Sequence, residues 1–345
     1  MSPEDREVRL RFPAYLQDQT QSSRALAGPL RRLVQFLIQT GIRLVLRPRR
    51  GAVGKLDISE VNEVYDREAL TYDVKHHLTT RGMDTMWRRA AGWCAVMTAQ
   101  RSHSRVRILD LCTGTGLTVV EMVNILREYG ASAEIIGLDY NEKMLALARE
   151  RNPESDDIRT RFIRGDAMSM VSRSDGRDAS LMGFSQEAFD LVSQVFGIGG
   201  ISSPLDVFRG VLQILKPGGR FFLIDMHRPI QSQPGEWPFF FRWIKTPLLE
   251  ALTYTETTIP LALNRLWAWR DPTLDFYLLP LVTWRDSAGS VWGFKTEHFR
   301  VESERWWLSL PVMPVGQIMV EKEMITTEEE QERSNLLTWA QVSLR

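Results

Sequence analysis

A glycine pair and a carboxylate mark where this chain could hold a small ligand. Asp110-Leu111-Cys112-Thr113-Gly114-Thr115-Gly116 follows a short apolar run and opens an amphipathic one. Glycines let a backbone approach a ligand closely, and the first N–H groups of a helix are free to donate to it. Asp139 ends the next apolar run, 23 residues past Gly116. An acid there can accept from both hydroxyls of a ribose. The third glycine of the dinucleotide fingerprint is missing, because Val119 stands in its place. That glycine serves close helix–strand packing around a pyrophosphate, so a nucleoside without one fits better. A lone glycine pair is as often a plain turn. Its strand-to-helix setting and Asp139 together raise it to a candidate site.

The elements that must position these residues follow from periodicity. Residues 105–111 (RVRILDL), 133–139 (AEIIGLD), 159–166 (RTRFIRGD), 189–196 (FDLVSQVF) and 219–225 (GRFFLID) read as strands. Helical spacing follows Gly116, runs from Glu142 to Arg151, and recurs from about Leu205 to Leu215, with KPGG as the terminating turn. Strands alternating with helices predict an α/β fold with a parallel sheet covered on both faces. Ligands in such folds bind beyond the carboxyl ends of the strands, where the glycine loop and Asp139 lie.

In order along the chain, ILDLCTGTG, GLDYNEKML, GDAM and LKPGGRFFLID resemble the motifs of class I S-adenosylmethionine-dependent methyltransferases. The resemblance spans roughly residues 61–228 and is closer still to the ubiquinone/menaquinone biosynthesis C-methyltransferases. Tyr65-Asp66-Arg67, Tyr72-Asp73, His77, Gly82-Met83-Asp84, Trp87-Arg88-Arg89 and Phe196-Gly197-Ile198 carry it. It implies a Rossmann-like methyltransferase fold, with a mostly parallel seven-stranded sheet, an N-terminal helical lid and an added C-terminal β-rich segment. It also implies S-adenosyl-L-methionine as cofactor, with no metal. Gly114 and Gly116 would pass under the methionine part, with Asp110 and Thr113 of the same loop. Asp139 would bind the ribose, Tyr140 would flank the adenine, and Asp166 would accept from the adenine amino group beside Ala167. Gln194 and Val195 would line the sulfonium end, and Tyr72 would close from the lid, unless it is simply a core aromatic there.

Methyl transfer needs orientation and a dry pocket, and a base helps where the acceptor must lose a proton. Of five histidines, His77 matches a family position that is often histidine or polar, and His227 follows the fifth strand. These are the two candidate bases, against the commoner alternative of structural or surface histidines. At Gly199-Gly200 a backbone-only turn stands where the quinone enzymes usually carry Arg-Asn. Either the acceptor differs or another group holds its oxygen. Between Asp166 and Asp190 the chain is also longer than the family pattern, and 172–180 (SRSDGRDAS) reads as an exposed loop.

Composition narrows the functional class. The chain of 345 residues has 43 basic and 43 acidic side chains, against the basic excess of a nucleic-acid coat. The balance is uneven, however: residues 1–55 carry a net +7 and residues 56–345 a net −7. No D/N-P-P-Y motif follows the fourth strand and no Pro-Cys pair occurs, which disfavours nucleic-acid base methylation. Two cysteines make no disulfide framework, MSPEDREVRL lacks a signal's apolar core, and no 18-residue apolar run occurs. The expected setting is the cytoplasm, with residues 24–55 as the segment for contact with the inner face of a membrane.

Three regions are expected: a basic arm (1–55), a cofactor-binding core with its lid (56–230), and an aromatic extension (231–345). Residues 29–47 form a basic amphipathic stripe, which suits either an anionic membrane surface or a helix packed on the domain. Nine of the 11 tryptophans lie beyond residue 236. They read as walls of a large apolar pocket, as the core of an added β subdomain, or as both. FYLLPLVTW, SVWGFKTEHFRV and GQIMVEKEMI read as its strands, and Thr326/Thr327-Glu-Glu-Glu opens a last helix. The functional expectation is methyl transfer to a small lipophilic, ring or quinone-like acceptor by in-line attack on the sulfonium methyl. The alternative is a soluble natural-product or small-molecule acceptor methylated at O, N or C. A binding protein that has lost catalysis is opposed by the intact loop, Asp139 and Asp166.

Overall fold

A computed structural model describes residues 58–79, 82–102, 104–152, 157–171, 183–198, 201, 203–226, 276–301 and 315–343. The basic arm, the 172–180 loop, Gly199-Gly200, His227 and residues 231–275 lie outside the described residues.

Among the described residues, three helices precede the first strand: α1 (Ile58–Glu68), α2 (Tyr72–Thr79) and α3 (Met83–Arg101). Then β1 (Val106–Leu111), α4 (Leu117–Glu128), β2 (Ala133–Asp139), α5 (Glu142–Arg151), β3 (Ile158–Arg164), β4 (Phe189–Val195), α6 (Pro204–Ile214) and β5 (Leu215–Met226) alternate. The chain returns through β6 (Thr283–Arg285), β7 (Val291–Val301), β8 (Val315–Ile325) and α7 (Thr327–Ser343). The strands form one sheet in the order β3-β2-β1-β4-β5-β8-β7-β6. Neighbours from β3 to β5 pair in parallel, and β5–β8, β8–β7 and β7–β6 pair antiparallel.

Strand alternation splits the apolar residues between two cores. Val106 and Ile108 of β1 pack with Ala133 and Ile135 of β2 on the face that α3, α4 and α5 cover. Leu109 and Leu111 face the other way, onto α6, together with Ile136 and Leu138. Both faces are thus covered, as the near-continuous apolar runs imply. Strand order reverses between β1 and β4, and that switch point opens a crevice at their carboxyl ends.

Helix boundaries have local causes. Asn141 caps α5 by accepting from the Met144 N–H at 2.9 Å, and Pro204 opens α6. At α7, Thr326 Oγ1 accepts from the Glu329 N–H at 3.1 Å, and Glu329 Oε2 accepts from the Thr326 N–H at 2.8 Å. That reciprocal pair is a capping box.

Three expectations are corrected. Among the described residues the sheet has eight strands rather than seven, because the short β6 adds an edge through a turn closed by Asp286 and Ser290. FYLLPLVTW is not one strand: Phe276–Leu281 is a 3-10 helix containing Pro280, and only Thr283–Arg285 joins the sheet. A proline offers no N–H to a ladder. The KPGG segment lies within β5 rather than before it, at a register shift against β4, with Gly218 at φ 73°.

Two of the C-terminal tryptophans serve the sheet. Lys322 is buried, and its ammonium donates to the Leu215 carbonyl at 2.7 Å. It also lies 4.8 Å from the ring centres of both Trp284 and Trp292. Burial lowers its pKa, against the opposing pull of Glu187.

Candidate functional site

The crevice is a cleft of about 1090 Å³, its open mouth included. Its floor is the turn between β1 and α4. Gly114 has φ 56° and Gly116 φ 78°. A Cβ on Gly114 would meet nothing within 4 Å, so that backbone opens onto the cleft. A Cβ on Gly116 would fall 2.8 Å from Asn152 Nδ2 and 2.9 Å from the Ala148 Cβ. One glycine therefore bares the backbone to a ligand, and the other lets α4 and α5 pack behind it.

Two residues without glycine's freedom also adopt left-handed backbone here, Cys112 (φ 52°) and Phe196 (φ 60°). Both line the cleft, and such strain gathers at functional sites. Burial pushes the Cys112 thiol well above its ordinary pKa, so it is no thiolate nucleophile.

Acids stand at the ends of three strands. Asp139 accepts from the Gly114 N–H at 2.8 Å on one oxygen and from the Asn141 N–H at 2.9 Å on the other. A carboxylate has about four lone-pair sites, so acceptor capacity remains for a ligand. Desolvation raises the Asp139 pKa, against the Asn141, Gly114 and Tyr140 N–H groups. Asp166 accepts from the Met168 N–H at 2.9 Å, and burial raises its pKa too. Asp110 lies beneath the loop, buried, and accepts from Thr113 Oγ1 and Ser193 Oγ, each at 2.7 Å. Burial pushes it up to about 6, against those two hydroxyls.

The lid is tied to this floor from α1 and α2. Asp73 accepts from Thr115 Oγ1 at 2.7 Å and pairs with Arg151 at 2.5 Å. Asn141 Nδ2 donates to Asn62 Oδ1 at 2.9 Å and to Asp66 Oδ1 at 2.7 Å. On α3, Arg88 lines the cleft and is paired with buried Asp84. Burial opposes ionisation of Asp84, but His76 and Arg88 override it and hold its carboxyl well below the usual range.

The cleft lining brings together eight of the residues expected from sequence: Tyr72, Thr113, Gly114, Asp139, Tyr140, Asp166, Ala167 and Val195. Asp110 and Gly116 lie behind the loop that they shape. Gln194 is fully buried and donates to Asp225 at 3.4 Å, because strand alternation turns its neighbour Val195 outward instead. His77 is not brought to the cleft. Its side chain is 59% exposed, with Nδ1 at 3.1 Å from Asp84, since consecutive helical residues point about 100° apart. The inward residue is His76.

Sequence reasoning missed Asn62, Arg88, Cys112, Asn141 and Phe196 as lining residues. Arg88 and Phe196 sit inside motifs that carry the family resemblance, and Asn141 follows the Asp139-Tyr140 pair, where a helix cap was due. Asn62 carries no such local signal. Among the described residues, none from 276 to 343 lines the cleft, no acid–histidine–cysteine cluster could hold a metal, and no helix is long and apolar enough to cross a membrane.

These residues fit an adenosyl-methionine group. A bare backbone stretch, a carboxylate with spare acceptor sites at the end of β2, and a second acid at the end of β3 suit its polar parts. Comparisons with known sequences agree. The demethylmenaquinone methyltransferase of Listeria welshimeri is 27% identical over 186 residues, which is 54% of this chain and 70% of that protein. The demethylmenaquinone methyltransferase of Thermus thermophilus is 31% identical over 172 residues, or 50% of this chain and 68% of that protein. Among solved structures, a phosphoethanolamine N-methyltransferase of Haemonchus contortus superposes with a TM-score of 0.47 at 15% identity, covering 82% of this chain and 52% of that one. Residues 54–249 match the ubiE/COQ5 methyltransferase family, and the chain belongs to that family of S-adenosylmethionine-dependent methyltransferases.

Proposed function

We propose that the chain transfers a methyl group to a ring carbon of a small lipophilic acceptor of the demethylated quinol kind. The observation that carries this reading is the cleft itself, with acids at its nucleoside end and tyrosine, phenylalanine and isoleucine side chains elsewhere on its lining. The names of the relatives support the acceptor class. S-adenosylmethionine supplies an already activated methyl on a sulfonium, so the protein's task is to bind, orient and exclude water.

Each side chain then has a role. Asp139 accepts from the ribose hydroxyls, and Tyr140 flanks the adenine. Arg164, whose guanidinium lies 5.1 Å from the Tyr140 ring centre, stiffens that ring. Asp166 and Ala167 take the adenine edge. Thr113 and the Gly114 backbone run along the methionine part. Arg88 is the cation for the methionine carboxylate, and its pairing with Asp84 keeps it in place. Tyr72 and Phe196, with Val195, bound the end where the acceptor meets the methyl. Of the two candidate bases, His77 points away from the cleft and His227 lies outside the described residues, so neither is given the proton. The arm at 24–55 is proposed as the contact with a membrane that carries the acceptor.

The test is incubation of the purified chain with isotopically methyl-labelled cofactor and a bacterial lipid extract, followed by mass spectrometry. Label in a prenylated quinol supports the reading. Label confined to water-soluble products replaces it with a soluble acceptor.

A further inference from the structure

His76 is a buried polar group of the lid that lies outside the proposed cofactor contacts. It is 5% exposed, on α2, one turn after Tyr72. Its ring stacks on Tyr72 with centres 5.6 Å apart and meets the edge of Phe196 at 5.3 Å. Phe196 in turn packs on Trp87 of α3 at 4.8 Å. The imidazole is therefore wedged between a lid residue and a sheet residue that both line the cleft. Its Nδ1 lies 3.7 Å from Asp84 Oδ2, and Asp84 also holds Arg88.

We propose that His76 is a positioning residue for methyl transfer, whose ring, packed between Tyr72 and Phe196 beside Asp84, fixes the closed lid over the cofactor. The proposal rests on the methyl-transfer reading of the cleft. Position alone sets it apart from its neighbour His77, which shares the Asp84 carboxylate but lies at the surface.

The charges that His76 meets make the wedge sensitive to protonation. Asp84 and Arg88 face it from α3, Asp73 lies on its own helix, and Phe196 at the end of β4 brings no charge. Burial lowers the pKa of the ring, Asp84 opposes this, and Arg88 adds to it. A proton taken up here would place a second buried cation beside Arg88. Alignment of Tyr72 with Phe196 is then lost at acid pH, and cofactor affinity falls with it.

Binding of S-adenosylhomocysteine, measured by calorimetry at pH 8 and pH 5.5, tests this without any acceptor. The whole chain is compared with His76→Phe and His76→Asn. Wild type should bind more weakly at pH 5.5 than at pH 8, by about twofold or more, because proton uptake on His76 competes with the closed lid. His76→Phe keeps an aromatic ring and removes one titrating group, so its affinity ratio between the two pH values should be smaller than that of wild type, the remaining change coming from Asp139 and Asp166. His76→Asn keeps a polar side chain without the ring, and should bind more weakly than His76→Phe at pH 8. Equal wild-type affinities at the two pH values, or an unchanged pH ratio in His76→Phe, overturn the proposal. If the substitutions unfold the chain, the wild-type His76 ring signals in a magnetic-resonance titration decide: a protonation midpoint that moves down on binding supports the role, and an unmoved one overturns it. The acceptor reading fails separately, if wild type with intact cofactor binding does not methylate a reduced demethylmenaquinone.

Discussion

On the sheet side of the cleft, Asp139 is held by its own surroundings in the chain. The Asn141 N–H two residues on and the Gly114 N–H of the neighbouring loop fix its two oxygens. On the lid side, Asp73 is held by Thr115, 42 residues away, and by Arg151, 78 residues away. The first arrangement forms once β1 and β2 pair. The second forms only when α2 lies down on the finished sheet. On the proposed reading, the floor sets the affinity for the nucleoside and the lid sets its retention.

The largest expected effect breaks the floor. Asp139→Ala removes the proposed ribose acceptor and leaves the Gly114 and Asn141 N–H groups without their partner. Cofactor affinity should fall by about 10²-fold or more, the scale of a lost hydrogen-bonded charge contact. Calorimetry with S-adenosylhomocysteine checks it, and undiminished affinity would sink the assignment of the ribose site.

Next comes the support behind the floor. Gly116→Ala puts a methyl among Asn152 and Ala148 at a left-handed φ, which should cost about 2–4 kcal/mol of stability. Gly114→Ala meets nothing in the protein, so its stability cost is the backbone strain alone, about 1–2 kcal/mol, while its methyl intrudes on the ligand. The two variants should therefore separate in opposite directions, Gly116→Ala in thermal unfolding and Gly114→Ala in binding. Equal melting temperatures would place the packing constraint elsewhere.

Asp110 offers a smaller effect with a defined sign. Its folded pKa is raised by burial from 3.8 to about 6. Between about pH 4 and 6 the folded chain keeps a proton that the unfolded chain has released, so this group's contribution to stability falls as pH rises through that window. Asp110→Asn should flatten that slope and change stability at pH 7 by on the order of 1 kcal/mol, since one of the two hydroxyl bonds is lost as the desolvation cost is removed. Urea unfolding at pH 4.5 and 7 measures both. A slope as steep as that of wild type would move the titration to another acid.

What sequence could read follows the same division. The alternating apolar runs and the loop glycines set β1, β2, α5 and the Asp139 position, because those signals are local. The lid was visible as a motif, but its facing was not. His76 and His77 are adjacent on an eight-residue helix, and only its docking on Phe196 and Asp84 decides which points inward. Asn62 and Asp66 meet Asn141 across 79 and 75 residues, a pairing that no periodicity records. The 276–284 run misled for a local reason, since Pro280 breaks an apolar pattern that otherwise suits a strand. By sequence Trp284 and Trp292 suit a pocket wall or a core equally, and the Lys322 ammonium 4.8 Å from both ring centres sets them against the sheet.

The smallest effect tests the lid itself. Asp73→Asn keeps an acceptor for Thr115 but loses the charge that pairs with Arg151. That pair is partly exposed, at 18% and 34% of the side chains, so solvent screening holds its worth to about 1 kcal/mol or less. Cofactor affinity should fall by about threefold to fivefold, far less than in Asp139→Ala. If the lid retains the ligand, the loss appears in the dissociation rate while association stays near that of wild type. Raising salt should speed wild-type release toward the variant's rate, because the screened pair is the one the variant lacks. Stopped-flow measurement of S-adenosylhomocysteine binding and release resolves the two rates. A slower association with unchanged release would mean that Asp73 prepares the floor, and the division between floor and lid would then run through Thr115 rather than above it.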